Sequence, residues 1–245
     1  MKIEKDIIYN AAHPDDCKLD VYRPETGAPA RTFVYFHGGG IEGGDKADFA
    51  PLAEMLVASG VVVVSANYRM YPRAKFPDFV EDAAMAVAWA KKNLPGEVYV
   101  GGSSAGSYLS MMLYFDRRYL ANAGMDADAV AGWVFDAGQP TTHYNVLRER
   151  GLDTRLVRVD EAAPIFFADD KRFADAAAFP RILLLCADND MPGRLEQNRL
   201  MMKTMEVFGF PMEKIDFRLM EGYTHCGYSG LPLFGEMLCE FLRAD

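Results

Sequence analysis

Short, densely apolar runs recur along this chain, and helix-length segments separate them. Thr32–Phe36 and Val61–Ser65 are apolar almost throughout, as strands buried on both faces must be. Val98–Gly101, Val130–Phe135, Arg181–Cys186 and Ile215–Leu219 continue the series, and Lys18–Tyr22 alternates polar with apolar residues like a half-exposed strand. Strands that alternate with helices predict an α/β fold, a mainly parallel sheet covered on both faces. One helix, capped by Asp78 after Pro77, carries Val80, Ala83, Val87, Ala90 and Leu94 on one face and stops at Pro95-Gly96. A later helix aligns Met201, Met205 and Phe208 as core residues and ends at Gly209, a left-handed C-terminal cap. The last helix presents Phe234, Met237, Leu238 and Phe241 to the core.

Residues 1–245 are expected to form one domain. Only the stretch from Gln139 to Pro180 breaks the rhythm, being charge-mixed and without a clear strand. Long irregular connections inside a compact domain usually serve function, so this segment is expected to be a small cap beside the active site.

Composition removes several classes. A chain that is 50% hydrophobic and 12% aromatic buries a core and is not disordered. The net charge of -9 comes with no basic patch, which disfavours a nucleic-acid partner or an anionic membrane surface. No run approaches the roughly 20 apolar residues of a membrane span. The start, Met1-Lys2-Ile3-Glu4-Lys5-Asp6, is charged and lacks a signal-peptide core, so a cytoplasmic location is expected. Cys17, Cys186, Cys226 and Cys239 have no paired spacing and read as free thiols. No metal-ligand spacing of the His-x-x-x-His or Cys-x-x-Cys kind occurs.

The sharpest motif is Gly102-Ser103-Ser104-Ala105-Gly106, a G-x-S-x-G sequence between the strand ending near Gly101 and an apolar helix over Tyr108 to Tyr114. A serine on so tight a turn needs small neighbours two positions away, because larger Cβ atoms would clash. The turn lifts the Ser104 hydroxyl off the sheet edge and aims a helix N-terminus at any developing oxyanion. The second motif is His37-Gly38-Gly39-Gly40, directly after the strand Thr32–Phe36. Its glycines leave backbone N–H groups free to face a pocket. His37 itself reads as structural.

These stretches, with Asn67-Tyr68-Arg69 and Ala187-Asp188-Asn189-Asp190, make the chain resemble an α/β-hydrolase, specifically the hormone-sensitive-lipase-like and related small esterases. The resemblance spans about Lys18 to Phe241. It implies an α/β-hydrolase fold with a mostly parallel eight-stranded central sheet flanked by helices. It also implies a Ser-Asp-His triad in that chain order, and ester hydrolysis without a cofactor. Ser103 stands where such esterases usually carry Asp, and Ser107 where a further Gly is frequent.

Carried onto this chain, the resemblance makes Ser104 the nucleophile. Asp190, after the strand Arg181–Cys186, is the expected acid, with Asp188 and Asp136 as rivals. Of the four histidines, His13 and His37 precede the serine and His143 falls in the suspected cap. His225, in a loop before the last helix, is therefore the expected base, and an imidazole suits proton transfer at neutral pH. The oxyanion donors implied are the N–H groups of Gly39, Gly40 and Ala105. Arg69 and Asp82 match an internal ion pair of such esterases. The expected substrate is a small uncharged acyl ester. Amide hydrolysis, as in peptidases or arylformamidases of this fold, and ligand binding without catalysis are the alternatives.

Overall fold

The computed structural model describes residues 1–169 and 179–243. The apolar runs pair into one sheet. Its strands are β1 (Lys2–Ile8), β2 (Lys18–Arg23), β3 (Arg31–Phe36), β4 (Val62–Ala66), β5 (Glu97–Ser103), β6 (Val130–Asp136), β7 (Arg181–Asn189) and β8 (Ile215–Thr224). These eight strands lie in the order β1-β2-β4-β3-β5-β6-β7-β8. β1 and β2 enter antiparallel, and every pairing from β3 and β4 onward is parallel.

The seven described helices are α1 (Ala50–Ala58), α2 (Asp78–Asn93), α3 (Ala105–Phe115), α4 (Arg118–Asn122), α5 (Tyr144–Glu149), α6 (Arg194–Val207) and α7 (Pro232–Arg243). The central strands are apolar in both phases because both faces are covered. Val34 and Phe36 of β3 pack into the cluster that holds α2, α3 and α6. Phe33 and Tyr35, pointing the other way, join the cluster of α1 and α7.

Some local expectations shift. Asp78 is the first residue of α2 rather than its cap, and its side chain accepts from the Lys75 backbone N–H at 3.1 Å. Phe208 is 46% exposed, unlike buried Met201 and Met205, because α6 ends at Val207 and the chain turns away at Gly209, φ 89°. β1 departs from the predicted strands: charged Glu4-Lys5-Asp6 interrupt its isoleucines at an exposed edge, where polar residues discourage further pairing. Between Gln139 and Pro180 the described residues form α5 and a short 3₁₀ turn at Pro164–Phe167, with no strand; residues 170–178 of that expected cap lie outside the described residues.

The ion pair expected behind the glycine loop is present. Arg69 Nε and Nη2 donate to the two Asp82 carboxylate oxygens at 2.7 and 2.9 Å, and the Arg69 backbone N–H adds a third bond at 3.0 Å. Asp82 is fully buried on α2, so this pair ties the helix to the segment leaving β4.

Candidate active site

Ser104 alone separates β5 from α3, and its backbone sits at φ 53°, ψ -112°. Non-glycine residues adopt such dihedrals only when their surroundings hold them there. Here the Ser104 N–H donates to Asp136 O at 2.8 Å, and Ser104 O accepts the Tyr108 N–H at 3.0 Å. The flanking glycines have a steric cause. A Cβ on Gly106 would lie 1.9 Å from Phe36 O, and one on Gly102 would meet the Gly106 carbonyl carbon at 2.5 Å. The strand-turn-helix is thus packed backbone on backbone against the end of β3.

β8 ends at Thr224, one residue before His225. The Ser104 Oγ–H donates to His225 Nε2 at 2.8 Å, and the His225 Nδ1–H donates to Asp190 Oδ1 at 2.6 Å. Asp190 lies just beyond β7 with its side chain 1% exposed. Burial would raise its carboxyl, but the His225 hydrogen bond and charge, with the Met191 N–H at 2.6 Å, hold it below the usual carboxylate value. The structure therefore brings Ser104, His225 and Asp190 into one hydrogen-bonded line.

The two rival acids lie elsewhere. Asp188 is exposed, and its Oδ1 accepts from Asn189 Nδ2 and the Gly222 N–H, both at 2.9 Å, bracing β7 to the end of β8. Asp136 is wholly buried at the end of β6. It accepts from Tyr228 Oη at 2.5 Å, from Ser229 Oγ at 2.6 Å and from Ser103 Oγ, which in turn accepts from Tyr35 Oη at 2.9 Å. Burial pushes its carboxyl above the usual value, against the pull of these hydroxyls. Ser103, the residue that departs from the usual pattern, is thus a link between Tyr35 and Asp136.

The glycine loop lies against this turn: a Cβ on Gly38 would be 3.3 Å from Ser104 Cβ. Gly39 and Gly40 have φ 97° and 66°, values that glycine adopts without strain. Among the described residues no acceptor takes the N–H of Gly39, Gly40 or Ala105. His37 is turned away from the serine, stacked on Tyr68 at 4.6 Å between ring centres, with its Nδ1 against Gly38 O at 2.8 Å.

Three polar side chains near the site were not singled out from sequence. Asn145 Nδ2 donates to Gly40 O at 2.8 Å, and the Tyr144 hydroxyl rests where a Gly40 Cβ would be. Arg194, 4% exposed at the start of α6, donates from Nη1 to Ala137 O at 2.5 Å. None belongs to a motif, and Arg194 reads in sequence as an ordinary helix start after Pro192-Gly193. Among the described residues no group of three or more His, Cys, Asp or Glu could hold a metal ion. No helix there is long and apolar enough to cross a membrane.

Comparison with known proteins agrees with this architecture. The carboxylic ester hydrolase LipN of Mycobacterium tuberculosis is 37% identical over 100 residues, covering 38% of this chain and 27% of LipN. The chain spans from about an eighth to about half of the length of the curated relatives it matches. An esterase of Pyrobaculum calidifontis superposes with a TM-score of 0.71 at 25% identity, covering 97% of this chain and 82% of that one. Esterase 2 of Thermogutta terrifontis superposes with a TM-score of 0.76 at 21% identity, covering 99% and 97%; at that identity the likeness speaks for the fold alone. The family model described as the alpha/beta hydrolase fold matches residues 33–226, a span running from β3 through the Ser104 turn to just past His225, and on that match the chain belongs to the α/β-hydrolase family.

Proposed function

We propose that this protein is a serine hydrolase of small carboxylic esters, with Ser104 as nucleophile, His225 as general base and Asp190 as the acid that orients it. The observation that carries the reading is the unbroken line from Ser104 Oγ through the His225 ring to Asp190, at 2.8 and 2.6 Å. With Asp190 accepting from Nδ1, the Nε2 lone pair faces the serine hydroxyl. His225 takes the Ser104 proton as Oγ attacks the ester carbonyl, then returns it to the leaving alcohol. Asp190 holds the tautomer and supports the imidazolium. An acyl-enzyme forms, and water, activated by the same imidazole, releases the acid.

The tetrahedral oxyanion is received by the N–H groups of Gly39, Gly40 and Ala105, each worth about 3 kcal/mol of transition-state stabilisation. Their lack of internal acceptors supports this role. The described residues of the 139–180 segment act as a small cap on the single domain: α5 brings Tyr144 and Asn145 to the glycine loop. The named activities of LipN and of the Pyrobaculum calidifontis esterase support the choice of ester over amide.

A panel of 4-nitrophenyl esters set against matched anilides tests the reaction class. Turnover of short-chain esters with anilides at least about a hundredfold slower is expected, since the alcohol is the better leaving group and the site must supply several kcal/mol more for an amide. Equal rates on both, or anilides alone, would overturn the ester reading.

A further inference from the structure

The cavity beside Asp190 carries a charge that the hydrolytic chemistry leaves unused. Met191, the residue after Asp190, and Tyr144, which rests on Gly40, line a cavity of about 270 Å³ with Leu156, Gln139 and Arg194. That is near the lower end of small-ligand cavities. Arg194 is 4% exposed, yet its hydrogen-bond acceptors are neutral: Ala137 O at 2.5 Å from Nη1 and Gln139 Oε1 at 3.3 Å from Nη2. Its third contact, Met191 Sδ at 3.8 Å, is to a thioether, a weak acceptor. No carboxylate among the described residues lies within ion-pair reach of this guanidinium. The cavity lining holds no Asp or Glu, and its other charged member, Arg155, is already paired with Asp153 at 2.6 Å.

The nearest opposing charge is the buried Asp190 carboxylate, which Arg194 feels through space without hydrogen-bonding it, and a buried cation with no hydrogen-bonded anion is costly. The deficit is local, because the chain as a whole has a net charge of -9. Burial pulls the Arg194 guanidinium below its ordinary value, against the upward pull of the Asp190 charge. A planar fork that presents N–H groups into an otherwise partly apolar cavity matches the two oxygens of a carboxylate.

We infer that this cavity is a carboxylate subsite, so that the preferred ester carries a carboxylate that Arg194 receives while the scissile carbonyl lies at Ser104. The inference rests on the ester-hydrolase reading and replaces the expectation of an uncharged substrate. The carboxylate can belong to the acyl group, as in a half-ester of a short dicarboxylic acid, or to the alcohol.

Two matched pairs separate these sources: 4-nitrophenyl hydrogen glutarate against 4-nitrophenyl pentanoate, and 4-acetoxybenzoate against 4-acetoxybenzamide. After correction for uncatalysed rates, kcat/KM should favour the acid in one pair by about 10- to 100-fold, the range for a hydrogen bond to a charged group. Arg194→Gln should collapse that ratio towards unity. Free pentanoate should raise the wild-type Tm more than the isosteric, uncharged pentanamide does, by mass action on the folded state. No preference in either pair, a ratio that survives Arg194→Gln, or equal Tm shifts would overturn the inference. If Arg194→Gln does not fold, the wild-type ratios and the Tm comparison still decide it. Failure to turn over any of these esters would instead refute the ester-hydrolase reading, and the Tm comparison would continue to test the subsite.

Discussion

A single side chain, Ser104, sits where strand, helix and glycine loop converge. Ser104→Ala should lower kcat by about 10⁴- to 10⁶-fold with Tm almost unchanged, because alanine inherits the same φ of 53°; steady-state kinetics beside thermal melting checks both. Asp190→Asn should cost about 10²- to 10⁴-fold, through loss of the correct tautomer and of support for the imidazolium. Asp188→Asn should cost less than about threefold in kcat, since its bonds only brace the exposed ends of β7 and β8. The reverse ranking would transfer the acid to Asp188. At this scale the serine and histidine are legible in sequence, the serine by its glycines and the histidine by scarcity. The acid is less so, because Asp136, Asp188 and Asp190 all follow strands, and only three-dimensional register shows which carboxylate meets the imidazole. Arg194 was invisible, as no local pattern marks a helix-start arginine for burial.

Elements hold the site by close backbone packing. Gly106→Ala would put a methyl 1.9 Å from Phe36 O. The shift needed should cost about 1–3 kcal/mol of stability and, by displacing Ser104, about a hundredfold in kcat/KM. Urea unfolding together with kinetics measures the two; an active, fully stable variant would contradict the packing argument. Asp82→Ala leaves the largely buried Arg69 with only the looser Asp78 carboxylate, at 3.5 Å, as a charged partner and should cost about 3 kcal/mol, the lower end for a broken buried pair, again read by urea unfolding. Elements were well foretold where burial makes the pattern extreme. The fully buried β4 and the helical stripe on α2 are such cases. The pattern weakens at β1, an exposed edge of alternating charge, and at α6, where Phe208 follows the last turn into solvent.

Across the molecule, the eight-stranded order brings together residues far apart in sequence, and two buried carboxylates at the strand ends oppose each other in pH dependence. Asp190 titrates below its ordinary value when folded. Its contribution to stability is therefore present above about pH 4 and lost as pH falls through the folded value. Asp136 titrates above the ordinary value, so its charge increasingly opposes folding as pH rises above about 4 towards its folded value. Relative to wild type, Asp136→Asn should gain stability over that rise, whereas the deficit of Asp190→Asn should shrink on acidification; parallel curves in urea unfolding at a series of pH values would contradict both assignments. In the proposed mechanism Ser104 becomes a nucleophile through His225. Labelling with a fluorophosphonate, followed by mass spectrometry of the peptides, tests it most directly. A phosphonyl adduct is expected on Ser104 in the wild type, none in Ser104→Ala, and labelling slowed at least about a hundredfold in His225→Ala. An adduct on another residue, or undiminished labelling without His225, would contradict it.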